Sequence, residues 1–161
     1  MTNVYIFDFD DTIFRSPRPA DAPHSSSWWR DPASLEYPYV REDTAWSMVI
    51  PSTYDRMITA AQDPRGVIIV LTARTPELAE QVNQVLDWVS APRHIVFAVG
   101  TPGLEKKLEV IYEVLRSSRA NSGNDVQYVE MWDDRADHLI AFRNAIKHWS
   151  PETAVTTRHV T

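Results

Sequence analysis

Apolar residues recur along this chain with two different periods, and the switch between them divides it into strands and helices. The first run, Val4-Tyr5-Ile6-Phe7, is almost continuously apolar and aromatic, the composition of a central parallel strand covered on both faces. Similar runs at 67–71, 94–99 and 126–132 predict three more strands. Between them the apolar positions step by three and four. Leu78, Val82, Val85, Leu86 and Val89 predict one helix face, and Leu104, Leu108, Ile111 and Leu115 predict another. Further helices are expected at 52–61 and 137–149. Thr75-Pro76-Glu77 has the order of an N-cap, a proline at the first helical position and an early acid. Gly66, the stretch 100–103 and the stretch 121–124 read as breaks, and 155–160 adds an edge strand. This alternation predicts an α/β fold: a Rossmann-like, three-layer arrangement with a parallel sheet between helices.

Residues 13–51 depart from both periods. Pro17, Pro19, Pro23, Pro32, Pro38 and Pro51 interrupt regular structure, and Trp28, Trp29 and Trp46 are mixed with Arg15, Arg18, Arg30 and Arg41. A long irregular segment rich in aromatics is expected to fold over something rather than remain disordered. It is read as a lid or small cap inserted after the first strand of a single domain spanning 1–161.

Composition narrows the classes of function. The chain has 161 residues, of which 43% are hydrophobic, enough for one sizeable core. Zero cysteines exclude disulfides and thiolate metal sites, so oxygen ligands are the main route to a bound cation. A formal net charge of −6 argues against sequence-independent coating of nucleic acid, while leaving room for a local basic rim. No leader-like N-terminal stretch and no segment of bilayer length is evident, so a soluble, cytoplasmic protein without a membrane partner is expected.

The candidate chemistry sits where predicted strands end. Strand one runs into Asp8, Asp10, Asp11 and Thr12, strand two into Thr72 and Arg74, and strand four into Asp133, Asp134 and Arg135. The helix after strand three carries Lys106 and Lys107 in its first turns. Carboxyl ends of parallel strands open into the crevice where such sheets bind ligands. The ordered set resembles the four motifs of the haloacid dehalogenase (HAD) superfamily: Asp8-x-Asp10-x-Thr12, Leu71-Thr72, Lys107 or Lys106, and Asp133-Asp134. Asp11 departs from the glycine common at that place, and aspartate there resembles the HAD domain of Swiss Army Knife RNA repair-like proteins. The Trp28-Trp29 pair, Leu71-Thr72-Ala73-Arg74 and Trp132-Asp133-Asp134-Arg135 with His138 extend that likeness. Asp133-Asp134-Arg135 also resembles the 3′-phosphatase module of polynucleotide kinase-phosphatases.

The resemblance implies a Mg²⁺-dependent phosphatase. Asp8 would be the nucleophile and Asp10 the general acid and base. Thr72 would donate to the phosphoryl group, and Lys107 or Lys106 would offset its charge. Mg²⁺ would be held by Asp8, by Asp10 through its backbone carbonyl, and by Asp133 and Asp134, with Asp137 the alternative to Asp134. Thr12, Arg74 and Arg135 are the further candidates for substrate binding, although Thr12 can equally support the loop and Arg74 and Arg135 can equally form ion pairs. His138 is a candidate for either a structural or a substrate role. A small lid leaves room for the end of a polymer, so the expected substrate is a nucleic-acid end bearing a 3′-phosphate, on RNA or DNA, or a nucleotide. The alternatives are a phosphatase of small metabolites and a HAD-fold binding or regulatory domain without turnover.

Overall fold

In a computed structural model, residues 1–17, 30–122 and 125–161 are described. Trp28, Trp29, Arg18, Pro19 and Pro23 lie outside them. Five strands form one sheet: β1 (Thr2–Phe7), β2 (Gly66–Thr72), β3 (Ile95–Ala98), β4 (Val126–Asp133) and β5 (Ala154–His159). Their order is β3-β2-β1-β4-β5 and every pairing is parallel. β1 is therefore central, with Ile6 opposite Ile69 on one side and Met131 on the other. Its nearly unbroken apolar sequence follows, because each face of a central parallel strand is covered.

Strand alternation sorts the side chains into two cores. On one face Tyr5, Phe7, Ile68 and Val70 pack with Met57 of α1 (Pro51–Ala60) and Val85 of α2 (Ala79–Trp88). On the other face Val4, Ile6 and Met131 pack with Ile111 of α3 (Leu104–Ser122) and Phe142 of α4 (Ala136–Trp149). This is the three-layer α/β architecture that the two periods predict. No helix among the described residues is long and apolar enough to cross a membrane.

Two local expectations are corrected. Thr75 makes no side-chain cap; Pro76–Leu78 form a 3-10 turn that leads into α2. Asn121 and Ser122 belong to the end of α3 rather than to a loop, because an ordered preceding helix can carry weak helix formers in its last turn. The described part of the insertion is compact. Leu35, Val40 and Ala45 are fully buried in the first core, joined by short 3-10 turns at Pro32–Leu35 and Ala45–Met48. Phe14 bridges back to Asp10 and also to Val49, so the segment is tied to the loop that follows β1. Trp46, 51% exposed, stands edge-on to Tyr54 of α1 with ring centres 5.4 Å apart.

Candidate active site

β1, β4 and the first turns of α3 converge at the carboxyl edge of the sheet. Asp8 follows β1 directly, and its backbone N–H donates to the Trp132 carbonyl at 2.9 Å, which aligns it with the end of β4. Asp133 is the last residue of β4 and Asp134 follows it. Carboxylate oxygens of Asp8, Asp133 and Asp134 lie within 4.8 Å of one another. Lys107 is the cation brought to them: its Nζ donates to Asp8 Oδ1 at 3.1 Å and to Asp133 Oδ2 at 3.5 Å. It is 3% exposed and lies one helical turn before buried Ile111, so helix phase directs it inward. Lys106, one position earlier, points to solvent and pairs with Glu109 at 3.4 Å. The structure brings Lys107, not Lys106, to the cluster. Asp137 likewise turns outward, with Arg135 3.3 Å away.

The electrostatics follow from this crowding. Burial, reinforced by Asp133, Asp10 and Asp134, raises the Asp8 carboxyl well above its ordinary value, and Lys107 opposes that only in part. Burial and the neighbouring Asp133 also raise Asp134. Burial would lower Lys107, but attraction to Asp8 and Asp133 outweighs it and keeps the ammonium charged. Three carboxylates against one lysine leave an excess of negative charge and a set of hard oxygen donors, which suits a divalent cation such as Mg²⁺.

The neighbouring residues divide into those beneath the carboxylates and those at the rim. Thr12 is completely buried and donates from Oγ1 to Asp8 Oδ2 at 3.3 Å. It supports the loop that carries Asp8, one of the two roles expected of it. Thr72 is also buried; its Oγ1 accepts the Arg74 backbone N–H at 3.2 Å, leaving the hydroxyl proton free to donate. Asp11 has φ 56°, the left-handed conformation that glycine adopts most cheaply.

Of the two roles expected of Arg74, substrate contact or ion pairing, the structure shows an ion pair inside the site. Arg74 is 1% exposed. Its Nε lies 3.1 Å from Asp10 Oδ1 and 3.0 Å from Oδ2, and Nη2 donates to Oδ1 at 2.7 Å. Nη1 donates to Ser34 Oγ in the insertion, and Ser16 Oγ donates to the same Asp10 Oδ1. Ser16 and Ser34 were not foreseen as site residues; serines of a proline-broken segment carry no periodic signal that would single them out. Arg135 remains at the rim, donating to the Pro102 carbonyl at 3.2 Å with half its side chain exposed. His138 is buried at the start of α4 against Phe142, and burial lowers it from its ordinary value.

No family model and no curated protein matches this chain. Solved structures do. The HAD domain of effector protein Lem4 from Legionella pneumophila is 14% identical over 98% of this chain and 85% of its own, with a TM-score of 0.59. A chain of a Pnkp1/Rnl/Hen1 complex is 17% identical over 99% of this chain and 45% of its own, with a TM-score of 0.56. Legionella pneumophila effector Ceg4 is 12% identical over 99% of this chain and 86% of its own, with a TM-score of 0.52. These likenesses show that the chain has the HAD-like fold.

Proposed function

We propose that this protein is a Mg²⁺-dependent phosphomonoesterase that works through an aspartyl-phosphate on Asp8, acting on a nucleic-acid 3′-phosphate end or a nucleotide. One observation carries the reading: the buried Asp8 carboxylate at the end of the central strand lies between Lys107 Nζ at 3.1 Å and the carboxylates of Asp133 and Asp134. An Asp8 oxygen attacks phosphorus as the bond to the leaving oxygen breaks, and Asp10 delivers a proton to that oxygen. Asp10 then takes a proton from the water that attacks the aspartyl-phosphate, which releases inorganic phosphate and restores Asp8. Lys107 and the Thr72 hydroxyl hold the phosphoryl oxygens and offset their charge. Mg²⁺ would be held by Asp8, Asp133, Asp134 and the Asp10 backbone carbonyl, and would supply positive charge to offset that of the phosphoryl group.

The choice of a nucleic-acid end is supported by the sequence likeness to polynucleotide 3′-phosphatase modules and by the shortness of the insertion. Arg15 is an exposed cationic side chain for a polymer backbone; Arg135 and Arg41 are exposed as well but paired, with Asp137 at 3.3 Å and with Asp43 at 2.8 Å. The test is hydrolysis with Mg²⁺ of a 3′-phosphorylated oligonucleotide, nucleoside monophosphates and an aryl phosphate. Preference for the oligonucleotide is expected, and preference for the mononucleotides would sink the end-processing reading. Asp8→Asn is expected to lose turnover by roughly 10⁴-fold while folding normally. An Asp8→Asn protein that retains full rate rules out the covalent mechanism.

A further inference from the structure

Asp10 is surrounded unevenly. Oδ1 receives Ser16 Oγ, Arg74 Nη2 and a share of Arg74 Nε, whereas among the described residues Oδ2 receives only Nε, at 3.0 Å. The carboxylate is 30% exposed and the arginine behind it is sealed from solvent. Oδ2 therefore keeps the greater accepting capacity toward a ligand, and its orientation is set by the plane of the guanidinium. That plane is held in turn at Nη1, which donates to the hydroxyl of Ser34, itself fully buried. Ser34 lies in the 3-10 turn Pro32–Leu35, which Asp31 caps by accepting the Ala33 N–H at 3.0 Å and which Leu35 anchors in the core.

From this geometry we infer that Ser34 is a positioning residue: it holds Arg74 so that Oδ2 of Asp10 is the oxygen presented for proton exchange, making the insertion part of the acid–base machinery. The inference rests on Asp10 being the acid and base proposed above. It predicts a selective defect. A leaving group that departs without a proton does not need Oδ2 in place, and a poor one does.

The experiment measures kcat/KM for wild type, Ser34→Ala, Ser34→Thr and Arg74→Lys across phosphomonoesters whose leaving groups run from dinitrophenol to a simple alcohol, with melting temperatures in parallel. Ser34→Ala is expected to lose about tenfold more on the alkyl ester than on the dinitrophenyl ester. Ser34→Thr, which keeps the hydroxyl, should restore the wild-type slope. Arg74→Lys, which keeps the charge but not the fork, should steepen the series at least as much, so the inference can be read there if Ser34→Ala folds poorly. Equal losses across the series in both Ser34→Ala and Arg74→Lys overturn it while leaving the phosphatase reading intact. A wild-type protein that hydrolyses none of the esters sinks both.

Discussion

Two buried charge clusters share strand β4, three residues apart, and they are built on opposite principles. At Glu130 every demand is met: Arg56 Nε donates at 2.6 Å and Nη2 at 3.1 Å, Tyr128 Oη at 2.8 Å and Trp132 Nε1 at 2.9 Å. Burial alone would raise the Glu130 carboxyl, but these hydrogen bonds outweigh it and hold Glu130 below its ordinary value. At Asp8 burial raises the carboxyl and a single lysine fails to compensate. One cluster is a finished structural joint between α1 and β4. The other stays electrostatically unfinished, with three carboxylates set against one lysine, as the proposed Mg²⁺ and phosphoryl chemistry requires. A buried carboxylate marks a site when its partners are too few, not simply because it is charged.

The contrast can be broken in order of expected effect. Lys107→Met leaves the three carboxylates without their counter-charge and should lower kcat/KM by about 10²–10³-fold in steady-state assays. A loss confined to stability would make Lys107 a joint like Arg56. Mg²⁺ at about 100 times its Kd should stabilise the wild type by roughly 2.7 kcal/mol in thermal melts, and Asp133→Asn should lose most of that gain. Equal stabilisation of both proteins would place the cation elsewhere. Glu130→Ala should cost about 2 kcal/mol in urea unfolding, since Arg56 can turn to water, with kcat within about twofold of wild type. A catalytic defect at unchanged stability would erase the distinction between the clusters.

The smallest effect is in pH dependence, where the two carboxyls have opposite signs. Glu130 has a lower pKa folded than unfolded, so the native state binds fewer protons there and stability is lost as pH falls through its folded value. Asp8 has a raised folded value, so the metal-free native state binds more protons there and gains stability as pH falls through that value. In metal-free urea titrations from neutral to acid pH, Glu130→Gln should flatten the acid loss and Asp8→Asn should remove the gain.

What the sequence made legible follows what is local in it. The apolar runs located β1, β2, β3 and β4, and even β5 was visible as an edge strand, because a strand is a property of consecutive residues. Asp8, Asp133 and Asp134 were legible because strand ends in a parallel sheet are brought to one edge by topology alone. The choice of Lys107 over Lys106 depends on helix phase, which only the packing of Ile111 settles. The Asp10–Arg74–Ser34 chain was not legible. Arg74 and Ser34 are 40 residues apart and meet through an irregular segment with no period to align them.

The central place of β1 also governs how the molecule is assembled. Val4 pairs with Val67 on one side but with Val129 on the other, so a growing chain can form β1, β2 and β3 long before β4 exists. Until then β1 has an open edge, and Asp8 lacks both Asp133 and the Trp132 carbonyl that aligns it. The carboxylate cluster is thus completed only with the last third of the chain, and a nascent or truncated form is an exposed template for strand pairing before the cluster exists.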